Sequence, residues 1–395
     1  MGVTGLLEEI AAIGRDGATG GYRRYAWTRA DADLRAWFAG TAAGLGLDVV
    51  EDRVGNQWAW WGEPDAHPGV VTGSHLDSVP DGGAYDGPLG VASSFAAVAR
   101  LRAEGFAPAV PLGVANFVDE EGARFGVACS GSRVLSGAMS AEHALGLRDG
   151  DGTTMAEALA AAGRDPAHVG RDDEALARIG TFVELHVEQG RLLAGPDEGA
   201  GRPVAVGSSI WPHGRWRFEL AGEANHAGTT RLDDRRDPML ALAALITGAR
   251  STAADLGCVA TVGKVVVRPN GVNAIPSSVT GWLDARGPDE DAVRRLVPLL
   301  EERLGVAATT ESFTPDTRFD EPLAADLAAL LGDVPVIGTG AGHDAGVLAT
   351  RGLRTAMLFV RNPTGVSHSP AEHADEADCE AGVDALVRVL RHLAG

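Results

Sequence analysis

The stretch GSHLDSVPDGGAYDGPLGV, residues 73–91, decides how the rest of the chain is read. Ahead of it, residues 69–73 read as a short buried strand; behind it an Ala/Val-rich helix spans about residues 90–104, and residues 110–117 form another short apolar strand. Strand, helix, strand in that rhythm predicts an α/β fold, a mostly parallel mixed sheet flanked by helices. Strands buried on both faces push polar chemistry into the loops at their carboxyl ends. The quoted stretch is such a loop, and it places His75, Asp77 and Asp86 among glycines that let the backbone converge them. Imidazole and carboxylate are the donors a divalent ion such as zinc or manganese prefers.

Three further motifs sit at strand ends. VDEEGARFG puts Asp119, Glu120 and Glu121 directly after an apolar strand. Adjacent carboxylates repel unless something positive lies beside them, so three in a row suggest a cation, although a solvated acidic loop explains an isolated DEE as well. ELHVEQG closes the strand at residues 181–187 and carries Glu184, His186 and Glu188. Alternation points all three to one face, odd for a buried strand unless that face lines a site. GVSHSPAEH presents His368 in a loop of small residues. Any one of these histidines is more often a surface or core residue than a ligand. Four motifs at successive strand ends reverse that balance.

Between residues 209 and 315 the pattern changes to strand 215–222, helix 238–254, strands 259–267 and 278–286, helix 290–304 and a last strand. This βαββαβ, ferredoxin-like order predicts an antiparallel sheet with helices on one face. The expected organisation is one domain over residues 1–208 and 316–395, with an α+β domain over 209–315 inserted into it. A chain of 395 residues is long enough for two cores.

The formal charge of −20, with no local Lys/Arg cluster, argues against a nucleic-acid partner and suits binding cations. No apolar run approaches the about 20 residues that cross a bilayer. The start MGVTGLLEEI lacks the basic stretch and apolar core of a signal peptide. Cys129, Cys258 and Cys379 are isolated, which argues against disulfides and thiolate metal sites and points to a reducing cytoplasm. Lys264 is the only lysine, so Schiff-base chemistry and carbamylated-lysine metal bridges have almost no candidate.

The four motifs in this order resemble the aminoacylase-like dinuclear metallohydrolases, specifically the allantoate amidohydrolase and N-carbamoyl-L-amino-acid hydrolase family. The resemblance covers essentially the whole chain. It rests also on His186, where related peptidases usually carry an acidic ligand, and on GEANHAGTT at residues 222–230 and GAGHDA at residues 340–345. It implies a metallopeptidase-like catalytic domain holding two zinc or manganese ions, an inserted dimerisation or lid domain, and a homodimer. Residue by residue it implies that Asp86 bridges the metals, that His75 and His186 bind one or the other, that Glu121 and His368 complete the pair, and that Glu120 is the general base. It also implies a non-proline cis peptide after Asp86. The chemistry agrees: two cations about 3.5–4 Å apart share a water and lower its pKa, and a carboxylate just outside their shell takes its proton. Asp77, two residues after His75, suits holding that imidazole by its other nitrogen.

By the same resemblance His226 reaches across a dimer interface to polarise the scissile carbonyl, although a hairpin histidine explains it on sequence alone. Arg286 and Asn273 take a substrate carboxylate, for which a planar guanidinium is the natural fork, and Gln189 is a further substrate contact. The expected substrate is a small carboxylate-bearing ureido or N-carbamoyl compound. Hydrolysis of N-formyl or N-formimino amino acids, dipeptidase or aminoacylase activity, and metal binding without catalysis stay open beside it. The ligand set with Glu120 disfavours an inert homologue, and His186 disfavours a peptidase. Arg231 stands where family members commonly have proline. His67, His143, His168 and His392 are expected to be solvated and without acidic partners, His213 and His373 are intermediate, and His343 is expected to support the site.

Overall fold

The apolar run ahead of the glycine loop folds as the strand Gly69–His75, buried along its whole length. It belongs to a chain whose residues 1–195 and 201–395 are described by a computed structural model. The strand pairs in parallel with Leu112–Phe117 on one side and Ile179–Val187 on the other, and Ile179–Val187 pairs in parallel with Arg354–Val360. Antiparallel strands flank these four: Gln57–Trp61 and Asp48–Glu51 beyond Leu112–Phe117, and Val204–Ile210 beyond Arg354–Val360. The register sets His75 opposite Phe117, Gly73 opposite Glu184 and Phe359 opposite His186, so the four parallel strands finish along one edge.

The helix Pro88–Ala103 lies against this sheet closely enough that a Cβ on Gly90 would sit 2.2 Å from the Leu185 carbonyl oxygen. Pro88 suits the first helical position, where its missing N–H leaves nothing unpaired. With Val3–Glu9, Arg29–Gly44 and Glu376–Ala394 it covers one face in a core that includes Phe38, Phe95, Leu185 and Leu386. Full burial of each such side chain contributes about 1.5–3 kcal/mol. Alternation turns Glu184 and His186 to the opposite face, where Glu184 accepts from Ala345 N of the helix Asp344–Thr350 at 3.0 Å.

One expectation is corrected here. The peptide after Asp86 is trans; among the described residues the cis bond is Arg268–Pro269. Gly87, at φ 85°, turns the loop into the helix in a conformation glycine adopts without steric penalty. One helix, Pro238–Leu256, is long and apolar enough by composition to cross a membrane, even though Thr247, Gly248 and Arg250 interrupt its apolar run. Its Leu242, Leu245, Ala249 and Ala253 are instead buried against the sheet of their own unit.

That unit, Ile210–Thr317, is separate from the one formed by Met1–Ser209 and Arg318–Gly395. Its strands run Ala308–Thr314, His213–Ala221, Ser278–Arg286, Val259–Arg268 across an antiparallel sheet. Val279, Leu283 and Ala285 alternate inward to meet Leu245 and Leu296 of the helices Pro238–Leu256 and Glu290–Leu304.

Candidate metal centre

Each of the four parallel strands delivers one motif to the same edge. His75 ends its strand, Asp86 lies just before the helix Pro88–Ala103, Glu120 and Glu121 follow Leu112–Phe117, His186 is the penultimate residue of Ile179–Val187, and His368 follows Arg354–Val360. They meet at Asp86. Its Oδ1 is 3.2 Å from His186 Nε2 and 3.9 Å from His75 Nε2, and its Oδ2 is 3.4 Å from His368 Nε2. Glu121 Oε2 lies 3.6 Å from the same His368 nitrogen. The result is two donor triads, His75–Asp86–His186 and Asp86–Glu121–His368, that share Asp86; within each, the donor atoms lie within 4.8 Å of one another.

Carboxylates tie the loops together. Asp77 accepts from Glu120 N and Glu121 N, both at 3.1 Å, and its Oδ1 stands 3.4 Å from His75 Nδ1. Glu372 Oε2 accepts from Tyr85 N at 2.8 Å and Asp86 N at 3.0 Å. Ser367 Oγ lies 3.0 Å from Asp86 Oδ2 and 3.1 Å from Glu372 Oε1. Gln189 Nε2 donates to Asp86 Oδ2 at 2.9 Å, so the glutamine is seated on the shared carboxylate. Cys129 Sγ donates to Glu120 Oε1 at 3.2 Å. Sequence reasoning missed Ser367, Glu372 and Cys129. Glu372 was visible in GVSHSPAEH, four residues past His368; nothing in the sequence marks Cys129. Asp119, Cys129 and His368 all hold positive φ, of 54°, 55° and 54°, which the packing around a site must enforce.

The centre is acidic and unbalanced. Among the described residues no arginine or lysine forms an ion pair with Asp77, Asp86, Glu120, Glu121 or Glu184. Burial pushes Glu120 well above the usual carboxylate range. Burial and the Asp86 charge raise Glu121 to about 7; burial and Glu184 raise Asp344 to about 8. Burial acts the same way on Asp86, but the imidazoles of His186 and His368 close beside it override burial and hold that carboxyl well below its ordinary value. Asp86 in turn raises His368 to about 9.

His186 Nδ1 is tied to Val187 O at 2.8 Å, which leaves Nε2 with its lone pair; Nε2 is buried without a hydrogen-bond partner, as is Glu121 Oε1. Unpartnered buried donors of electron pairs in a pit of carboxylates fit divalent cations. His343, 3% exposed, stacks obliquely 4.5 Å from the His186 ring and is held neutral by burial and by His186. Two peripheral histidines expected to lack acidic partners have them: His392 Nε2 is 2.8 Å from Asp326 and His168 Nε2 is 3.9 Å from Asp165. Asp326 lies on the helix Glu321–Leu330, far in sequence from His392, whereas Asp165 stands three residues before His168 and caps the same short turn.

The remaining candidates belong to the unit Ile210–Thr317. His226 pairs with Ala274 in a two-residue ribbon, and Ala227 N donates to Asn273 O at 3.0 Å, which sets His226 and Asn273 side by side. His226 Nδ1 accepts from Gly228 N at 3.0 Å and Thr229 N at 3.2 Å. Its proton is therefore on Nε2. Arg286 turns its fork to Asp284, with Nε and Nη2 donating at 2.7 and 3.0 Å.

Imidazoles and carboxylates gathered at the carboxyl edge of parallel strands, short of positive charge, define a metal-dependent hydrolase. Residues 71–392 match the peptidase family M20/M25/M40, and the chain belongs to that family. It is 36% identical over 404 residues to the N-carbamoyl-L-amino acid amidohydrolase of Geobacillus stearothermophilus, covering 98% of this chain and 97% of that one. It is 31% identical over 407 residues to the allantoate amidohydrolase of Escherichia coli (strain K12), covering 98% and 96%. The crystal structure of an amidase of the hydantoinase/carbamoylase family from Burkholderia vietnamiensis superposes with a TM-score of 0.85 at 30% identity, over 99% of this chain and 96% of the other. The protein is thus a hydrolase of C–N amide bonds on the amidohydrolase side of a metallopeptidase fold.

Proposed function

We propose that the enzyme hydrolyses the linear C–N bond of a ureido or N-carbamoyl amino-acid-like substrate, such as allantoate or an N-carbamoyl-L-amino acid, using two zinc or manganese ions per subunit. The observation that carries this reading is the pair of donor triads sharing Asp86, with His186 Nε2 and Glu121 Oε1 buried and unpartnered. Asp86 would bridge the ions, with His75 and His186 completing one triad and Glu121 and His368 the other; Asp77 holds the His75 ring and the Glu120–Glu121 loop. When bound, the ions supply a water acidic enough to act near neutral pH.

Glu120 takes the proton of the attacking water and delivers it to the leaving nitrogen as the C–O bond forms and the C–N bond breaks. Cys129 fixes one Glu120 oxygen, leaving Oε2 on the His75 side at 3.8 Å. His226 of the partner subunit, protonated on Nε2, donates to the developing oxyanion. Arg286 and Asn273 orient the substrate carboxylate, which asks Arg286 to exchange or share Asp284, and Gln189 contacts substrate from Asp86. The homodimer this requires is supported by the unit Ile210–Thr317, whose edge strand and helix leave Leu240 73%, Val259 59% and Ile246 44% exposed. Its free thiols fit a cytoplasmic location, and the net charge fits a small-molecule rather than a nucleic-acid partner.

The test is product release by the metal-reconstituted protein across allantoate, ureidoglycolate, N-carbamoyl, N-formyl and N-formimino amino acids and dipeptides. Glu120→Gln should retain metal while turnover drops by about 10²–10⁴-fold. Cleavage of dipeptides alone, or undiminished turnover in Glu120→Gln, overturns the reading. Mixing Glu120→Gln with His226→Ala subunits should restore activity in exchanged dimers; continued inactivity would remove His226 from the shared site.

A further inference from the structure

Apart from the metal centre, the unit Met1–Ser209 with Arg318–Gly395 holds a cavity of about 320 Å³ between the helix Val3–Glu9, the loop ahead of Asp86 and the start of the helix Glu376–Ala394. Arg24, 1% exposed, lines it. Its Nε donates to Ile13 O at 3.0 Å and its Nη2 to Ile10 O at 2.7 Å, and the guanidinium lies 4.0 Å from the centre of the Tyr22 ring. No carboxylate pairs with it among the described residues, and Nη1 donates to none of them. Burial draws its pKa down to about 10, which leaves it a cation at neutral pH. A buried cation is ordinarily matched by an acid, because carbonyl dipoles and a ring face do not neutralise a full charge.

The rest of the cavity narrows what could match it. Leu7, Ile10 and Ala374 give apolar wall, while Glu8 and Glu376, both exposed, stand at its rim. A simple anion would pass two carboxylates to reach Arg24, and a simple cation would leave Arg24 unmatched. A molecule with a carboxylate and an ammonium a few bonds apart, plus an apolar tail, satisfies all three surfaces. The volume lies within the range of small-molecule sites, about 300–1,000 Å³.

We propose that this cavity binds a free α-amino acid with an aliphatic side chain, its carboxylate on Arg24, its ammonium toward Glu8 and Glu376, and its side chain against Leu7 and Ile10. The ligand rests on the segments that hold the metal loop. Tyr85 and His373 line the same cavity with their rings 6.3 Å apart, and the backbone N–H groups of Tyr85 and Asp86 are both taken by Glu372, the neighbour of His373. The site is independent of the substrate assigned to the metal centre.

Calorimetric titration of the metal-loaded enzyme with L-leucine, 4-methylpentanoate and 3-methylbutylamine tests it. Leucine should bind at least about tenfold tighter than either single-charge analogue. Arg24→Met should abolish that binding. Ala11→Phe, which fills the cavity from a half-buried lining position, should abolish it too and carries the test if Arg24→Met does not fold. Glu120→Gln should bind leucine as the wild type does. Leucine binding unchanged in Ala11→Phe, no leucine binding at about 10 mM, or equal binding of 4-methylpentanoate would each overturn the proposal.

Discussion

Gly87 shows how little room one residue has at this centre. It sits at φ 85°, and a Cβ there would lie 2.3 Å from His75 Cε1. Gly87→Ala must therefore move the His75 ring or reshape the loop carrying Asp86, and both belong to one donor triad. Metal affinity should fall by about 10–100-fold, the scale at which displaced supports of metal ligands are felt. Metal content measured after dialysis against a graded chelator checks this, and an unchanged titration would separate Gly87 from the centre. Cys129 invites a gentler experiment. Cys129→Ser keeps a donor to Glu120 Oε1, whereas Cys129→Ala removes it. Turnover should fall more in the alanine variant, with the substrate KM little changed because the contact orients the base. His75, Asp86, Glu121, His186 and His368 stood out in the sequence because strand ends advertise themselves. Cys129 and Ser367 did not, because their value lies in contacts formed only when distant loops meet.

Elements divide along the same line. Several apolar strands and long helices were legible to within a few residues, residues 69–73 being read for Gly69–His75 and residues 90–104 for Pro88–Ala103, whereas the helix Arg29–Gly44 and the strand Arg354–Val360 were not delimited. The helices Ser130–Leu135, Ala141–Gly146, Met155–Ala161 and Asp173–Ala177 were not read at all. Each is too short for apolar periodicity to register, and three depend on caps from Ser140, Thr154 and Asp172, the Thr154 cap being a reciprocal box with Glu157. The turn between Asp48–Glu51 and Gln57–Trp61 is held by one buried carboxylate. Asp52 accepts from the N–H groups of Val54, Gly55 and Asn56, from Asn56 Nδ2 and from Trp58 Nε1. Asp52→Ala would strand these buried donors and should cost about 3–5 kcal/mol. Urea unfolding should show the midpoint shift, and a loss under about 1 kcal/mol would mean that water or the neighbouring Glu51 had taken over the donors.

For the molecule as a whole, the unbalanced centre makes stability a function of metal and pH together. In chelator-treated protein Glu121 titrates at about 7, Asp344 at about 8 and His368 at about 9, each above its ordinary value of 4.5, 3.8 and 6.5. The folded state then binds more protons than the unfolded one. The stability these groups contribute is full below their unfolded values and is lost as pH rises through the folded ones. The Tm of the chelated protein should fall between about pH 4 and pH 9, while the metal-loaded protein changes much less; parallel slopes would show that the cluster does not carry the metal. The sheet order has a consequence for how the enzyme comes into being. Arg354–Val360 lies between Ile179–Val187 and Val204–Ile210, and it is followed by the loop bearing His368 and Glu372. On the ribosome, the slot it fills stays open while the whole of Ile210–Thr317 is being made. Until residues past Glu372 emerge, the nascent chain exposes two bare strand edges and only part of its ligand set. It is therefore inert as a hydrolase throughout synthesis, and most in need of chaperone shelter just before the last strand arrives.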